Sequence, residues 1–238
     1  MIAIADNEPA QHAIAPEFLQ QRLAEAAHYA VLCRIAPLLR HDVAGLMQPV
    51  GMLLMVLQRR IQMTTPDVEA ISKNLASVSA LTKEATTGCM NAMEWLVSGE
   101  DLPVSLRSGV NKAAKLLETE FAAAALEIIN GISDEQVTVP QSFFRSVLMG
   151  ALLAFCDQGT VGNTLQITLE SGTGNTDTRD QLLMRMLPGD SATSPASTET
   201  NRQSRAIGWP DVEALAGSFN VTMARDEDWL MLSLPEPE

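Results

Sequence analysis

Basic residues are scarce in this sequence, since its 238 residues include 16 Lys and Arg against 29 Asp and Glu, a formal net charge of -13. A protein that binds nucleic acid by neutralising phosphates needs the opposite balance of charge. An anionic membrane surface would repel this chain as well. The composition therefore argues against nucleic acid and membrane as binding partners.

Cysteine, histidine and long apolar runs are scarce too. The three cysteines lie far apart, with neither the density of a disulfide framework nor the paired spacing of a zinc site. His12, His28 and His41 are spread over a tail and a helix, so we expect no metal site. The longest apolar run, residues 43–57, is interrupted by Gln48 and is too short to cross a bilayer. With no secretion signal at the N-terminus, these absences favour a cytoplasmic protein.

Residues that favour helix fill the first part of the chain. From about Glu17 to Gln62 there is no turn cluster, and most residues are good helix formers. One helix of roughly 65 Å is predicted. Its apolar residues recur at alternating spacings of four and three, as in a helix-bundle seam, at Leu39, Val43, Leu46, Val50, Leu53 and Leu57.

A second helix is predicted after the break in "MTTPDVEA", where Thr65 suits the N-cap and Pro66 the first helical position. The short connection makes the two helices antiparallel neighbours. Because two helices cannot bury their stripes alone, a second copy is expected to complete a dimeric four-helix bundle. The stripe predicted for the second helix consists of Val68, Ile71, Leu75, Val78, Thr82, Ala85, Cys89, Ala92 and Leu96.

A polar pair, His41 and Asp42, interrupts the apolar first helix. With Val43 at heptad position a, His41 falls at position f and points away from the seam. Two interpretations are open for the methionines on that outer face: the rest of the protein covers them, or they dock another protein. The residues that share this face with His41 are Gly45, Gln48, Met52 and Met55.

Alternating helix and strand signals begin near residue 101 and predict an α+β sandwich with helices over one face of a sheet. The order is a helix at 105–125, two strands around Gly131, a helix at 141–156, strands at 164–170 and 180–187, a helix at 210–219 and a closing hairpin.

The segment "LLRHDVAGLMQPVG", residues 38–51, resembles the H-box of two-component histidine kinases, in which a histidine on a dimeric hairpin carries a phosphoryl group. The resemblance implies that His41 is the acceptor. Asp42 could hold the proton of the other ring nitrogen. This sequence departs from the family at Gly45, where a polar residue is common, which puts phosphatase activity in doubt, and at Pro49, where the proline is displaced.

The segment "FFRSVLMGALLAFCDQGTVGNTLQITLE", residues 143–170, resembles the N-box region of the family's ATP-binding domain, a Bergerat-type sandwich. Gly150 and Ala154 stand where the family has two asparagines, and neither can supply a Mg²⁺ ligand. An Asp-x-Gly-x-Gly motif is replaced by a Ser- and Thr-rich loop, Ser191–Ser204. The resemblance implies a degenerate kinase domain that binds no nucleotide cofactor.

These resemblances divide the chain into a disordered tail at 1–16, a dimerisation and phosphotransfer hairpin at 17–100 and a degenerate catalytic-like domain at 101–238. Together they are similar to the dimeric histidine phosphotransferases, which imply response-regulator receiver domains as partners. An alternative is a non-catalytic dimeric adaptor, and an ATP-dependent kinase ranks last. Candidate docking residues are Arg40, Gln48, Met52 and Met55.

Overall fold

A long helical hairpin opens the computed structural model, which describes residues 16–96, 101–158, 163–170, 179–188 and 205–235. Helix α1 covers Pro16–Ile61 and α2 covers Val68–Leu96, so both predicted helices are confirmed. Asp67, rather than the predicted Thr65, caps the second helix, its carboxylate accepting from the Ala70 backbone N–H at 3.0 Å, and Pro66 lies before the helix. The predicted tail, His12 and the Ser191–Ser204 loop lie outside the described residues.

The predicted seam of α1 is confirmed by burial. Leu39, Val50 and Leu57 are buried, and the intervening seam residues are half-buried against α2. These positions follow the 3.5-residue period that keeps one stripe facing a neighbouring helix.

The predicted seam of α2 is wrong at most of its alternate positions, although Cys89 among them is half-buried. Leu75, Thr82 and Leu96 are exposed, whereas the residues one place earlier are half-buried toward α1. Gly88 shows why, because an added Cβ there would lie 2.1 Å from Cδ1 of Leu46 and only glycine admits so close an approach. The residues of α2 on the α1 side are Ile71, Asn74, Val78, Leu81, Ala85, Gly88, Ala92 and Trp95.

A five-stranded mixed sheet forms the centre of the second half, which we call the α/β body (residues 101–235). Its order is β2-β4-β5-β7-β6, with β2 parallel to β4 and the other pairs antiparallel. The α+β class is confirmed. The strands are β2 Glu127–Asn130, β4 Asn163–Glu170, β5 Gln181–Pro188, β6 Met223–Arg225 and β7 Trp229–Ser233.

Two local predictions for the α/β body are wrong. The strands on either side of Gly131 do not pair, because the Gly131 N–H donates to the Ile167 carbonyl at 2.7 Å and extends the pairing of β2 with β4. Strand β3 (Thr138–Pro140) pairs instead with β1 (Pro103–Ser105). The predicted helix at 105–125 is two helices, α3 Leu106–Leu116 and α4 Glu118–Ala123, with a break at Leu117.

A nearly continuous helix crosses the core of the α/β body. It consists of α5 (Gln141–Phe143), a π-helical turn (Phe144–Leu148) and α6 (Met149–Gln158), and α6 is buried from Met149 to Cys156. Helix α7 (Trp209–Ser218) and the first half of α1 pack against it. Val31 and Ile35 of α1 are fully buried in the same core cluster as the sheet, so α1 belongs to both halves of the protein.

The register of α2 generates a stability prediction. Leu81→Ala should lower the free energy of unfolding by about 2 kcal/mol, because it removes apolar contacts from the helix interface. Thr82→Ala should change it by no more than about 0.5 kcal/mol, because Thr82 is exposed. Urea denaturation measures both. A larger loss for Thr82→Ala would contradict the register.

Candidate functional site

His41 is exposed on the outer face of α1, two residues after the buried Leu39. Its side chain is 84% exposed, and that of Asp42 is 61% exposed. Nδ1 of His41 lies 3.6 Å from Oδ1 of Asp42, which is longer than a hydrogen bond. The structure therefore places the predicted pair side by side and leaves the imidazole open to a partner.

The predicted docking residues on the same face are exposed as well. Met52 and Met55 are 57% and 62% exposed, and Gln48 is exposed between them and His41. We call Gln48, Met52 and Met55 the docking strip. The described residues of the α/β body do not cover these methionines, and the strip faces outward.

An apolar groove of about 500 Å³ runs beside the docking strip between α1 and α2. It combines adaptable methionines with a single basic residue at its edge, which suits a helix or loop of a partner protein. The lining residues are Pro49, Met52, Leu53, Met55, Val56, Arg59 and Leu81.

Arg40 does not share this surface. Successive residues of a helix are turned by about 100°, so Arg40 lies a quarter of a turn from His41, on the flank that carries the exposed Met47 and Leu54. It remains the basic residue adjacent to His41 in the chain.

A buried ion cluster joins α1 to the α/β body and was missed from the sequence. One guanidinium nitrogen of Arg34 donates to Oε2 of Glu120 at 2.6 Å and to Oδ1 of Asp157 at 3.0 Å. The other oxygen of Asp157 accepts from the Ile207 backbone N–H at 2.8 Å. A signal was present, because Arg34 continues the spacing of the buried residues Ala27 and Val31, where an unpaired charge would be costly.

His28 is a packing residue at the contact of α1 with the π-helical turn. Its Nδ1 shares a hydrogen bond of 2.9 Å with Oγ of Ser146, which is buried in the π-helical turn. Burial lowers the pKa of His28 below its ordinary value of 6.5, so the ring is neutral near pH 7. Within the described part of the chain, no three His, Cys, Asp or Glu side chains are grouped to hold a metal ion.

The two positions at which histidine kinases carry asparagines of the nucleotide site lie inside the core of this protein. Gly150 and Ala154 are fully buried. A Cβ added at Gly150 would lie 2.9 Å from Cδ1 of Leu215 on α7 and 3.7 Å from Cγ2 of Val31 on α1. Side chains of two helices therefore fill the space in front of Gly150.

No family model matches the chain, and no curated protein matches it. Among solved structures it is similar to the histidine kinase AdeS of Acinetobacter baumannii (12% identity, 80% of this chain and 98% of that chain, TM-score 0.39). Others are the histidine kinase ThkA in complex with the response regulator TrrA (10%, 93% and 66%, 0.39) and the blue-light activated histidine kinase EL346 of Erythrobacter litoralis (12%, 77% and 62%, 0.41). Likeness of this degree says nothing about what this chain binds or catalyses.

None of the helices in the described ranges combines the length and the hydropathy needed to span a membrane.

The packing at Gly150 generates a second prediction. Gly150→Asn should lower the free energy of unfolding by about 3 kcal/mol, because it overpacks the core and buries an amide without partners. Gly45→Asn, at an open position of α1, should change it by about 0.5 kcal/mol or less. Urea denaturation and a titration with Mg²⁺-ATP measure both variants. Tolerance of Gly150→Asn together with a gain of ATP binding would contradict the packing.

Proposed function

We propose that this protein is a histidine phosphotransferase that relays a phosphoryl group between receiver domains of response regulators, in a cytoplasmic two-component pathway and without ATP. The observation that carries the proposal is the 84% exposure of the His41 side chain beside an apolar docking groove, on a hairpin anchored in a folded body. A nucleophile offered to a protein partner needs this combination of access and support.

The proposed step is a transfer between an aspartate and a histidine. A lone pair on an unprotonated ring nitrogen of His41 attacks the phosphorus of the receiver's aspartyl phosphate. The P–O bond to the aspartate breaks, a P–N bond forms, and the aspartate leaves as a carboxylate. The reverse step loads a second receiver. Mg²⁺ and the acidic pocket belong to the receivers, so this chain need supply no metal ligand.

Asp42 and Arg40 have supporting roles in this proposal. A small rotation of the imidazole would bring Nδ1 within hydrogen-bond reach of Asp42, which would hold the proton there and leave Nε2 to accept phosphorus. Arg40, the next residue in the chain on the other side, would offset the charge of the phosphoryl group. The docking strip would bind the receiver below His41.

The packing of α6 supports a function without ATP. Leu215 and Val31 fill the space in front of Gly150, and the body is fastened to α1 by the Arg34 cluster. A nucleotide would need that space, and a domain that delivers phosphate from ATP would need freedom to move.

A dimer is supported by an apolar flank of the hairpin that the described residues of the chain do not cover. In an antiparallel pair, the residues that follow each d position lie on one side of the seam. Most of those residues are apolar on both helices, with Thr82 a polar exception, so a second copy packed there would complete a four-helix bundle. We call this surface the apolar flank, and its exposed members are Met47, Leu54, Ile61, Val68, Leu75 and Leu96.

Phosphoryl transfer tests the proposed function. Each receiver domain of the source organism is charged with labelled acetyl phosphate, purified and mixed with this protein. We expect acid-labile, base-stable label on the wild type and on His28→Gln, and none on His41→Ala, because only His41 offers an accessible imidazole among the described residues. Equal labelling of wild type and His41→Ala, or no labelling by any receiver, would reject the relay.

The same mixtures test the alternative, a non-catalytic adaptor. The 3.6 Å separation of His41 and Asp42 favours it, because the pair is not hydrogen-bonded as it stands. An adaptor should bind a receiver equally well as wild type and as His41→Ala, and neither protein should take up label.

Oligomeric state tests the apolar flank. Leu54→Arg should convert the dimer to a monomer, because it places a charge in the proposed interface. Val56→Arg lies two residues away on the opposite flank of α1 and should leave the dimer intact. Sedimentation equilibrium measures both. A monomeric wild type, or the same behaviour of the two variants, would overturn the dimer.

A further inference from the structure

One face of α1 passes from buried to exposed within a single heptad. Ala27, Arg34 and His41 are spaced by seven residues, and seven residues return the chain to nearly the same face of a helix. Ala27 is 1% exposed, Arg34 is 3% exposed and the His41 side chain is 84% exposed. The α/β body therefore covers this face down to Arg34 and ends before His41.

The Arg34 ion cluster identifies what lies at that edge. Glu120 of α4 and Asp157 of α6 both contact Arg34, so both lie against the face of α1 that carries His41, about 10 Å from it toward the N-terminus of α1. Apolar packing tolerates small sliding movements, whereas charge-assisted hydrogen bonds fix direction as well as distance. The cluster therefore sets where the edge of the body stands relative to His41.

A receiver placed over His41 must meet this edge. A domain of about 100 residues has a radius of gyration near 13 Å, and so extends roughly 15 Å in each direction from its centre. The docking strip accounts for the part of the receiver that lies on the C-terminal side of His41 along α1. On the N-terminal side of His41, the same domain reaches the level of Arg34. There α4 presents the exposed residues Glu118, Thr119, Ala122 and Ala123.

We propose that α4 is the upper part of a composite receiver-docking surface, and that Arg34 is a positioning residue which clamps α4 above His41. This proposal rests on the proposed function for the identity of the partner. It extends the docking surface from the hairpin to the α/β body, whose role becomes recognition rather than delivery of phosphate.

Charge placed on α4 tests the proposal. Thr119→Glu/Ala123→Glu should raise the dissociation constant and the apparent KM for a receiver about tenfold, because receivers carry an acidic pocket and like charges repel. The transfer rate at saturating receiver should stay within about twofold, since α4 does not touch the reacting atoms.

A matched control is available at the other side of the sheet. Thr222→Glu/Ala224→Glu makes the same two substitutions at exposed positions beside and within β6, the edge strand opposite β2. This variant should bind the receiver as the wild type does. Equal binding by the α4 variant and this control would overturn the proposal, and so would equal weakening of both.

Removal of the clamp tests the role of Arg34. Arg34→Met/Glu120→Gln/Asp157→Asn removes all three charges together and leaves no buried charge without a partner. In this variant the α/β body should be held less firmly on α1, and the KM for the receiver should rise about fivefold. The fraction of the protein that takes up label should stay that of the wild type. A fall in labelled fraction at unchanged KM would mean a structural role only, and would overturn the positioning role.

Failure of the two proposals can be told apart. The dissociation constant is measured with the unphosphorylated receiver by calorimetry, and it reports on α4 whether or not phosphate moves. If the wild type binds a receiver but takes no label, the relay is rejected. If the α4 variant then binds that receiver more weakly than the wild type does, the composite surface is still supported.

Discussion

The contact of α1 with the core of the α/β body is the constraint on which the rest of the structure depends. Val31 and Ile35 are fully buried there, and a Cβ added at Gly150 of α6 would lie 3.7 Å from Cγ2 of Val31. A single helix thus begins in one core and ends in another. Its first half is held on the sheet domain by apolar packing and by Arg34, and its second half forms the hairpin with α2.

This shared helix explains how His41 can be both exposed and well supported. Leu39 is buried two residues before His41, so the backbone at His41 cannot move far. The side chain of His41 projects from the opposite face of the helix. Trp95 near the end of α2 packs against Phe144 with ring centroids 5.2 Å apart, which ties the second helix to the same body. Because both helices are anchored, the hairpin presents its outer face in one orientation.

The sequence predicts the features that depend on local periodicity and turn chemistry. The α1 seam, the outward phase of His41 and the strands β4 and β5 all follow from the spacing of apolar residues a few positions apart. The α2 register does not, because local apolarity favours the exposed Leu75 and Leu96 over the half-buried Asn74 and Gly88. The contact of Gly88 with Leu46, which fits the true register, joins two different helices.

Pairing between segments that are distant in the sequence cannot be predicted from local patterns either. Gly131 looks like a turn, yet its N–H continues a ladder with β4, some 36 residues later in the chain. Arg34 finds its carboxylates 86 and 123 residues away. In the candidate site, the exposed histidine and methionines could be predicted from helix phase, while the cluster that fixes the edge of the body above them could not.

The most direct test of the central claim is a chase from labelled protein. The wild type is loaded at His41 by one charged receiver, purified away from it, and given an unphosphorylated second receiver without ATP. A relay predicts that the label moves to the aspartate of the second receiver as it disappears from His41. Label that stays on the protein, or leaves only as inorganic phosphate, would contradict it.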